Sequence, residues 1–238
     1  MNLIKKAALA MAALSCATTV AIAQEGGGIK IGARLGYSMQ NPSDDLEAMA
    51  VLMTGGYAVP EVSAGMLGIS GGIVINIPAG PVTIAPEIAF MYRNNFTVSL
   101  TPVMGGDKIE ATQTDLAISI PLLVKYSFIE DAYAQAGVQI DIPIKAEVCS
   151  DETSDDPDFS KCEEMTGTKD KKGETSWKRA SVDVGIVAGV GYMITPSFAV
   201  DFRTVIGMTT HSEMDMGLFG KVDAGSITSF GLGATYFF

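Results

Sequence analysis

Alternation with a period of two runs through most of this chain and leaves few folds open to it. From Ile29 to Tyr37 the odd positions are Ile29, Ile31, Ala33, Leu35 and Tyr37, and the even ones Lys30, Gly32, Arg34 and Gly36. Successive side chains of a strand point to opposite faces, so such a segment is a strand with one apolar face. Val82, Ile84, Pro86, Ile88, Phe90 and Tyr92 likewise oppose Thr83, Ala85, Glu87, Ala89 and Met91. Leu116, Ile118, Ile120, Leu122, Val124 and Tyr126 form another such face, and Ala134, Val138, Ile140, Ile142 and Ile144 lie on the next. Val182–Ile194, Phe198–Met208 and Phe230–Phe238 repeat the pattern, and a strand around Ile69–Ile77 brings the number to eight. Two stretches, Val62–Pro86 and Val184–Val200, carry no charge and are long enough for a membrane helix. Gly71, Gly72, Pro78 and Pro81 interrupt the first, and Gly185, Gly189, Gly191 and Pro196 the second. Each therefore reads as two strands joined by a tight turn.

The second face of these strands decides between a soluble and a membrane fold. A soluble sandwich turns its apolar faces inward and a charged surface outward. Here the second face is mostly Gly, Ala and Ser with scattered charges, which suits the cramped interior of a narrow barrel. Strands of about ten residues, tilted, cross the apolar core of a bilayer. The mean hydropathy of +0.29 fits that reading. Connections alternate between short turns, at Pro78–Pro81, Ile129–Asp131 and Thr195–Ser197, and long loops, at Met39–Ala64, Asn94–Thr112, Val148–Lys178 and Thr210–Ala224. The expected fold is all-β, an eight-stranded antiparallel up-and-down transmembrane barrel. Both termini are expected on the short-turn, periplasmic side.

Lys5 and Lys6, an apolar stretch from Ala7 to Ile22 and Ala21-Ile22-Ala23 have the layout of a secretory signal. Residues 1–23 are expected to be a cleaved signal peptide and 24–238 the barrel domain. Acylation at Cys16 is the rival reading, but Leu14 stands one position too close to it for a good lipobox. Cys149 and Cys162 are then the cysteines of the exported chain, and an even pair there points to a disulfide. The net charge of −11 excludes a nucleic-acid binder that relies on a basic face.

The chain ends Gly231-Leu232-Gly233-Ala234-Thr235-Tyr236-Phe237-Phe238. Tyr236 and the terminal Phe238 resemble the assembly signal of outer-membrane barrels. Gly32-Ala33-Arg34-Leu35-Gly36, Ile118 to Tyr126 (ISIPLLVKY), Val182 to Tyr192 (VDVGIVAGVGY) and Asp201-Phe202-Arg203 with Gly207 resemble strands of the PorT-like outer-membrane β-barrel family, a small barrel of OmpA/OmpX-type architecture. Thr204 stands where that family has tyrosine. The resemblance implies a Gram-negative outer-membrane barrel, and its motifs are structural rather than catalytic.

The inward faces are expected to carry Arg34, Glu87, Arg93, Lys125, Asp141, Lys145, Asp183, Asp201 and Arg203. Buried charges must be paired or hydrated, so these residues are read as a network that plugs the lumen. A gated ion path is the functional alternative. The loop from Val148 to Lys178 holds Asp151, Glu152, Asp155, Asp156, Asp158, Glu163 and Glu164, and is read as a solvated or partner-binding loop. Calcium would suit its oxygen ligands, but the spacing fits no EF-hand and Pro157 interrupts it. Leu46, Met49 and Met53 have helical spacing and would cap the barrel mouth. Trp177 reads as a membrane-interface anchor. His211, Ser212 and Glu213 are hydrolase-type residues, but adjacent residues do not converge on one reacting atom. No catalytic residue, metal site or cofactor is expected. The expected partners are outer-membrane lipid, the barrel-assembly machinery and an envelope or extracellular protein meeting the loops. A small porin is the alternative function and a barrel hydrolase the third.

Overall fold

The computed structural model describes residues 28–42, 50–51, 57–106, 108–151, 162–164, 176–215, 221–223 and 225–238. The described residues form twelve strands: β1 (Lys30–Pro42), β2 (Ala58–Ala79), β3 (Val82–Pro102), β4 (Ile109–Ser127), β5 (Ala132–Asp151), β6 (Cys162–Glu164), β7 (Ser176–Arg179), β8 (Asp183–Thr195), β9 (Phe198–Gly207), β10 (Ser212–Asp215), β11 (Lys221–Asp223) and β12 (Ile227–Phe237). Eight of them, β1 to β5 with β8, β9 and β12, form a closed antiparallel ring. The ring closes where β1 meets β12, from Gly32 opposite Phe237 to Pro42 opposite Ile227. Closure removes the unpaired edges that an open sheet would present to lipid.

The alternation read from the sequence is the alternation of the walls. Leu35, Ile88, Phe90, Val124, Val190, Phe202, Ile206 and Leu232 point outward and are exposed. Tyr126, Phe128, Tyr192, Tyr236 and Phe238 gather near the short-turn end, as an aromatic girdle does. Glu87, Arg93, Asp115, Lys125, Asp141, Asp201 and Arg203 point inward and are buried. A soluble barrel would reverse this arrangement, because water would face the apolar belt.

The strands differ in length more than the alternation predicts. β2 to β5 run for 22, 21, 19 and 20 residues, whereas β1, β8, β9 and β12 have 13, 13, 10 and 11. About ten residues suffice to cross the apolar core. One wall therefore continues well past the barrel, through residues 58–64, 96–102, 109–114 and 142–151, of which 58–64, 96–102, 109–112 and 148–151 are loop in the sequence reading. Register shifts lie at the level where that wall leaves the barrel, between Ser38 and Gln40, Ala64 and Gly68, Asn94 and Phe96, and Leu116 and Ala117. A bulge bends its strand and re-aims the side chains beyond it.

At the outer end of the tall wall β6 extends the sheet from β5, with Cys149 opposite Cys162, and the two are joined by a disulfide. β7, β10 and β11 form a separate three-stranded sheet from the long loops. Trp177 lies in β7 opposite Met214, so it stands in this loop sheet and not at the entrance of a barrel strand. Residues 1–23, the helically spaced Leu46, Met49 and Met53, and the acidic run Glu152 to Asp158 lie outside the described residues.

Candidate functional site

The lumen is the candidate site, because it gathers the buried charges. Three layers fill it. Toward the short turns a cluster of apolar side chains fills much of the lumen. Ala85, Leu123, Ala199 and Phe237 are buried, with Val74 and Val187 above them in one cluster and Met193 and Val205 packed against it. The expected seal was charge alone, but the floor of the barrel is made of hydrocarbon.

Above the floor lies an inner charged layer of Arg34, Glu87, Asp201 and Arg203, and Lys125 stands beside the floor, two residues nearer the short turn than Leu123. Arg203 holds Glu87 with both terminal nitrogens, at 2.7 and 2.8 Å. Its Nε lies 2.7 Å from Asp201 Oδ1. Arg34 Nη2 donates to the same Asp201 oxygen at 2.7 Å. Lys125 donates to Asn76 Oδ1 at 3.2 Å and lies 5.3 Å from the centre of the Tyr133 ring. The small residues of the lumen face make room for the large ones. A Cβ on Gly233 would overlap the Arg34 guanidinium, and one on Gly191 would overlap the Tyr133 ring. Gly233→Ala is therefore expected to dislodge Arg34 and cost about 1–3 kcal/mol in denaturant unfolding of the refolded barrel.

The outer charged layer sits at the level of the bulges. Arg93 pairs with Asp141 at 3.1 Å and with Asp183 at 3.0 Å. Arg179 donates to Asp115 through Nε at 2.9 Å and Nη2 at 2.8 Å, and pairs with Asp183. Burial holds the His211 imidazole below its usual range, against the pull of its bond to Asp183. Its Nδ1 lies 3.2 Å from Asp183 Oδ2 and its Nε2 lies 3.3 Å from the Gln113 amide nitrogen, both within hydrogen-bonding distance. Between the layers are two stacked cavities that share Gln139, Val205 and Ser229. The inner one is lined by Ser38, Ser70 and Ser119 and touches Arg34, Glu87 and Arg203.

Eight of the nine expected lumen charges are therefore in the lumen. Lys145 is not. The Leu116/Ala117 shift places an extra residue on β5, which turns Ala146 inward and Lys145 out to pair with Glu147 at 2.6 Å. The sequence reading missed Asp115, Arg179 and His211. Asp115 could have been found, because it shares a face with Ser119, Pro121 and Lys125. Arg179 and His211 come from outside the barrel strands and have no such signal.

Among the described residues the lumen holds five cations, Arg34, Arg93, Lys125, Arg179 and Arg203, and five carboxylates, Glu87, Asp115, Asp141, Asp183 and Asp201. Asp115, Asp183 and His211 bring ligand-type atoms within 4.8 Å of one another. Arg93 and Arg179 already neutralise those two carboxylates, so the trio belongs to the ion-pair lattice. The partners of His211 are carboxylates, an amide and backbone, and a hydroxyl nucleophile is not among its bonds in the described residues.

The chain is similar to several solved outer-membrane structures. It is 13% identical to Ail, the attachment invasion locus protein of Yersinia pestis, covering 89% of this chain and 99% of that one with a TM-score of 0.45. Against OprG from Pseudomonas aeruginosa the identity is 12%, the coverage 89% and 97% and the TM-score 0.45. Against Neisserial surface protein A the values are 12%, 90% and 100%, and 0.41. No curated protein matches at a significant level. A family model described as outer membrane protein beta-barrel domain matches residues 22–212, which is most of the chain. With eight strands closed in a ring, an apolar belt outside and paired charges within, the chain belongs to the outer-membrane-protein β-barrel domain family, whose members sit in the bacterial outer membrane.

Proposed function

We propose that this protein is a closed-lumen barrel whose role is structural, or display of its tall wall to a partner, rather than passage of solutes. One observation carries the reading: bonded charges and an apolar floor occupy the lumen in successive layers. Narrow barrels of eight strands leave an interior that side chains can fill. An apolar floor excludes ions through the cost of removing their water, independently of how the charges above it are arranged. In this reading both termini and the short turns face the periplasm, and the tall wall with its disulfide-tied β6 faces outward. The partner is an envelope or extracellular protein. Tyr236 and Phe238, stacked edge to face on the outer surface with ring centres 5.7 Å apart, form the edge offered to the assembly machinery. The strand motifs around Ile118–Tyr126 and Val182–Tyr192 favour the PorT-like branch of the family.

The stacked cavities favour a second reading, a small channel. Planar-bilayer recording of the detergent-refolded chain separates the two. A folded barrel with no single-channel steps is the expected outcome. Reproducible steps would overturn the closed-lumen reading and favour the porin.

A further inference from the structure

Two residues that complete the outer charged layer do not belong to the barrel wall. Arg179 is the last residue of β7, and His211 lies between β9 and β10. Ser212 of β10 stands opposite Arg179, and β10 also pairs with β11. The Ala180 N–H donates to the His211 carbonyl at 3.1 Å, and the His211 N–H donates to the Gly225 carbonyl at 2.8 Å. Three separate loop segments are thereby knitted together above the lumen. Arg179 reaches from this sheet into the barrel until its side chain is 3% exposed. Its bonds to Asp115 and Asp183 cross from the loop sheet to the wall, on β4 and β8.

We propose that β7, β10 and β11 form a lid bolted shut by Arg179, and that drawing the bolt opens a blind chamber that admits cations. The wall is built to survive the withdrawal. Arg93, on β3, lies 3.0 Å from Asp183 and 3.6 Å from Asp115, so both carboxylates keep a cationic neighbour when Arg179 leaves. Arg179 itself moves with its loop into water, where its charge is solvated. The outer layer then holds Asp115, Asp141 and Asp183 against Arg93 alone, a net charge that attracts cations and repels anions. The chamber would extend through the two cavities to Ser119 and stop at the Ala85–Leu123 floor. The lid extends the closed-lumen reading, and its test reads access to the chamber rather than conductance, so the two can fail separately.

Ser119 is 4% exposed and lines the inner cavity, and cysteine is close to it in size. The test uses the full refolded barrel carrying Ser119→Cys, its native pair left bridged. It is treated with a trimethylammonium-bearing methanethiosulfonate and, separately, with the sulfonate-bearing analogue. S119C is expected to react slowly with both. Adding Arg179→Gln is expected to speed the cationic reagent about tenfold or more, the effect of losing a charge-assisted hydrogen bond on an open–closed equilibrium. The anionic reagent should gain much less. Ala85→Cys in the same background should stay unlabelled. Circular dichroism checks that each variant is folded, and Asp183→Asn replaces R179Q should that variant not refold. Rapid labelling of S119C alone, or no acceleration in the folded bolt variant, would overturn the lid. Equal acceleration of both reagents would overturn the cation preference.

Discussion

Arg203→Ala is expected to destabilise the folded barrel by about 3–5 kcal/mol, the cost of breaking a buried ion pair from one side. The guanidinium grips Glu87 with two nitrogens and lies against Asp201, and all three side chains are at most 7% exposed. Alanine removes the cation and leaves Glu87 with Arg34 Nε at 3.9 Å as its nearest charged partner. Bidentate pairs are among the stronger protein hydrogen bonds, and a low dielectric raises both their strength and the cost of their loss. Replacing both partners, Glu87→Met with Arg203→Met, removes the stranded charge as well and should cost less than R203A alone. Urea unfolding in lipid vesicles, followed by fluorescence, measures both. A loss below about 1 kcal/mol for R203A would mean that water reaches Glu87 freely and that the layer is not a plug.

Inner-layer residues were legible because they lie on strands whose alternation is unbroken. Arg34, Glu87 and Arg203 fall on the small-residue face of segments that the sequence marks clearly, and strand geometry does the rest. Lys145 obeys the same count and still faces out, because one extra residue on β5 reverses the count beyond it. A bulge changes parity without changing composition, so hydrophobic pattern alone does not reveal it. The outer parts of β2 to β4 and the last residues of β5 read as loops for a related reason. There the buried positions are polar as well, Ser99 and Gln113 among them, and runs such as Thr97 to Thr101 and Glu110 to Thr114 are rich in Thr rather than in large apolar residues. Arg179 and His211 are held by contacts 64 and 28 residues away in sequence, to Asp115 and Asp183. No local pattern encodes a meeting of that kind. The apolar floor was missed because its members are scattered singly among four strands, where Ala85 or Ala199 reads as one more small lumen residue.

A pair of substitutions at equally exposed sites locates the boundary between lipid and water on this barrel. Leu232 is 63% exposed in the middle of β12, between Tyr37 and Phe202. Val59 is 62% exposed near the outer end of β2, opposite Thr101. On a soluble protein arginine would be tolerated similarly at both. Here Leu232→Arg is expected to cost about 2–4 kcal/mol in vesicles, the penalty for a cation on the lipid face near the bilayer midplane. Val59→Arg is expected to change stability by no more than about 0.5 kcal/mol, as a surface substitution in water does. The difference follows from length alone. Strands of 10 to 13 residues on one side of the ring fix how thick the embedded band is, and Val59 lies beyond it on a wall of 22. Equal costs at the two sites would place them in the same solvent. The tall wall would then be embedded too, and the display reading would lose the surface it depends on.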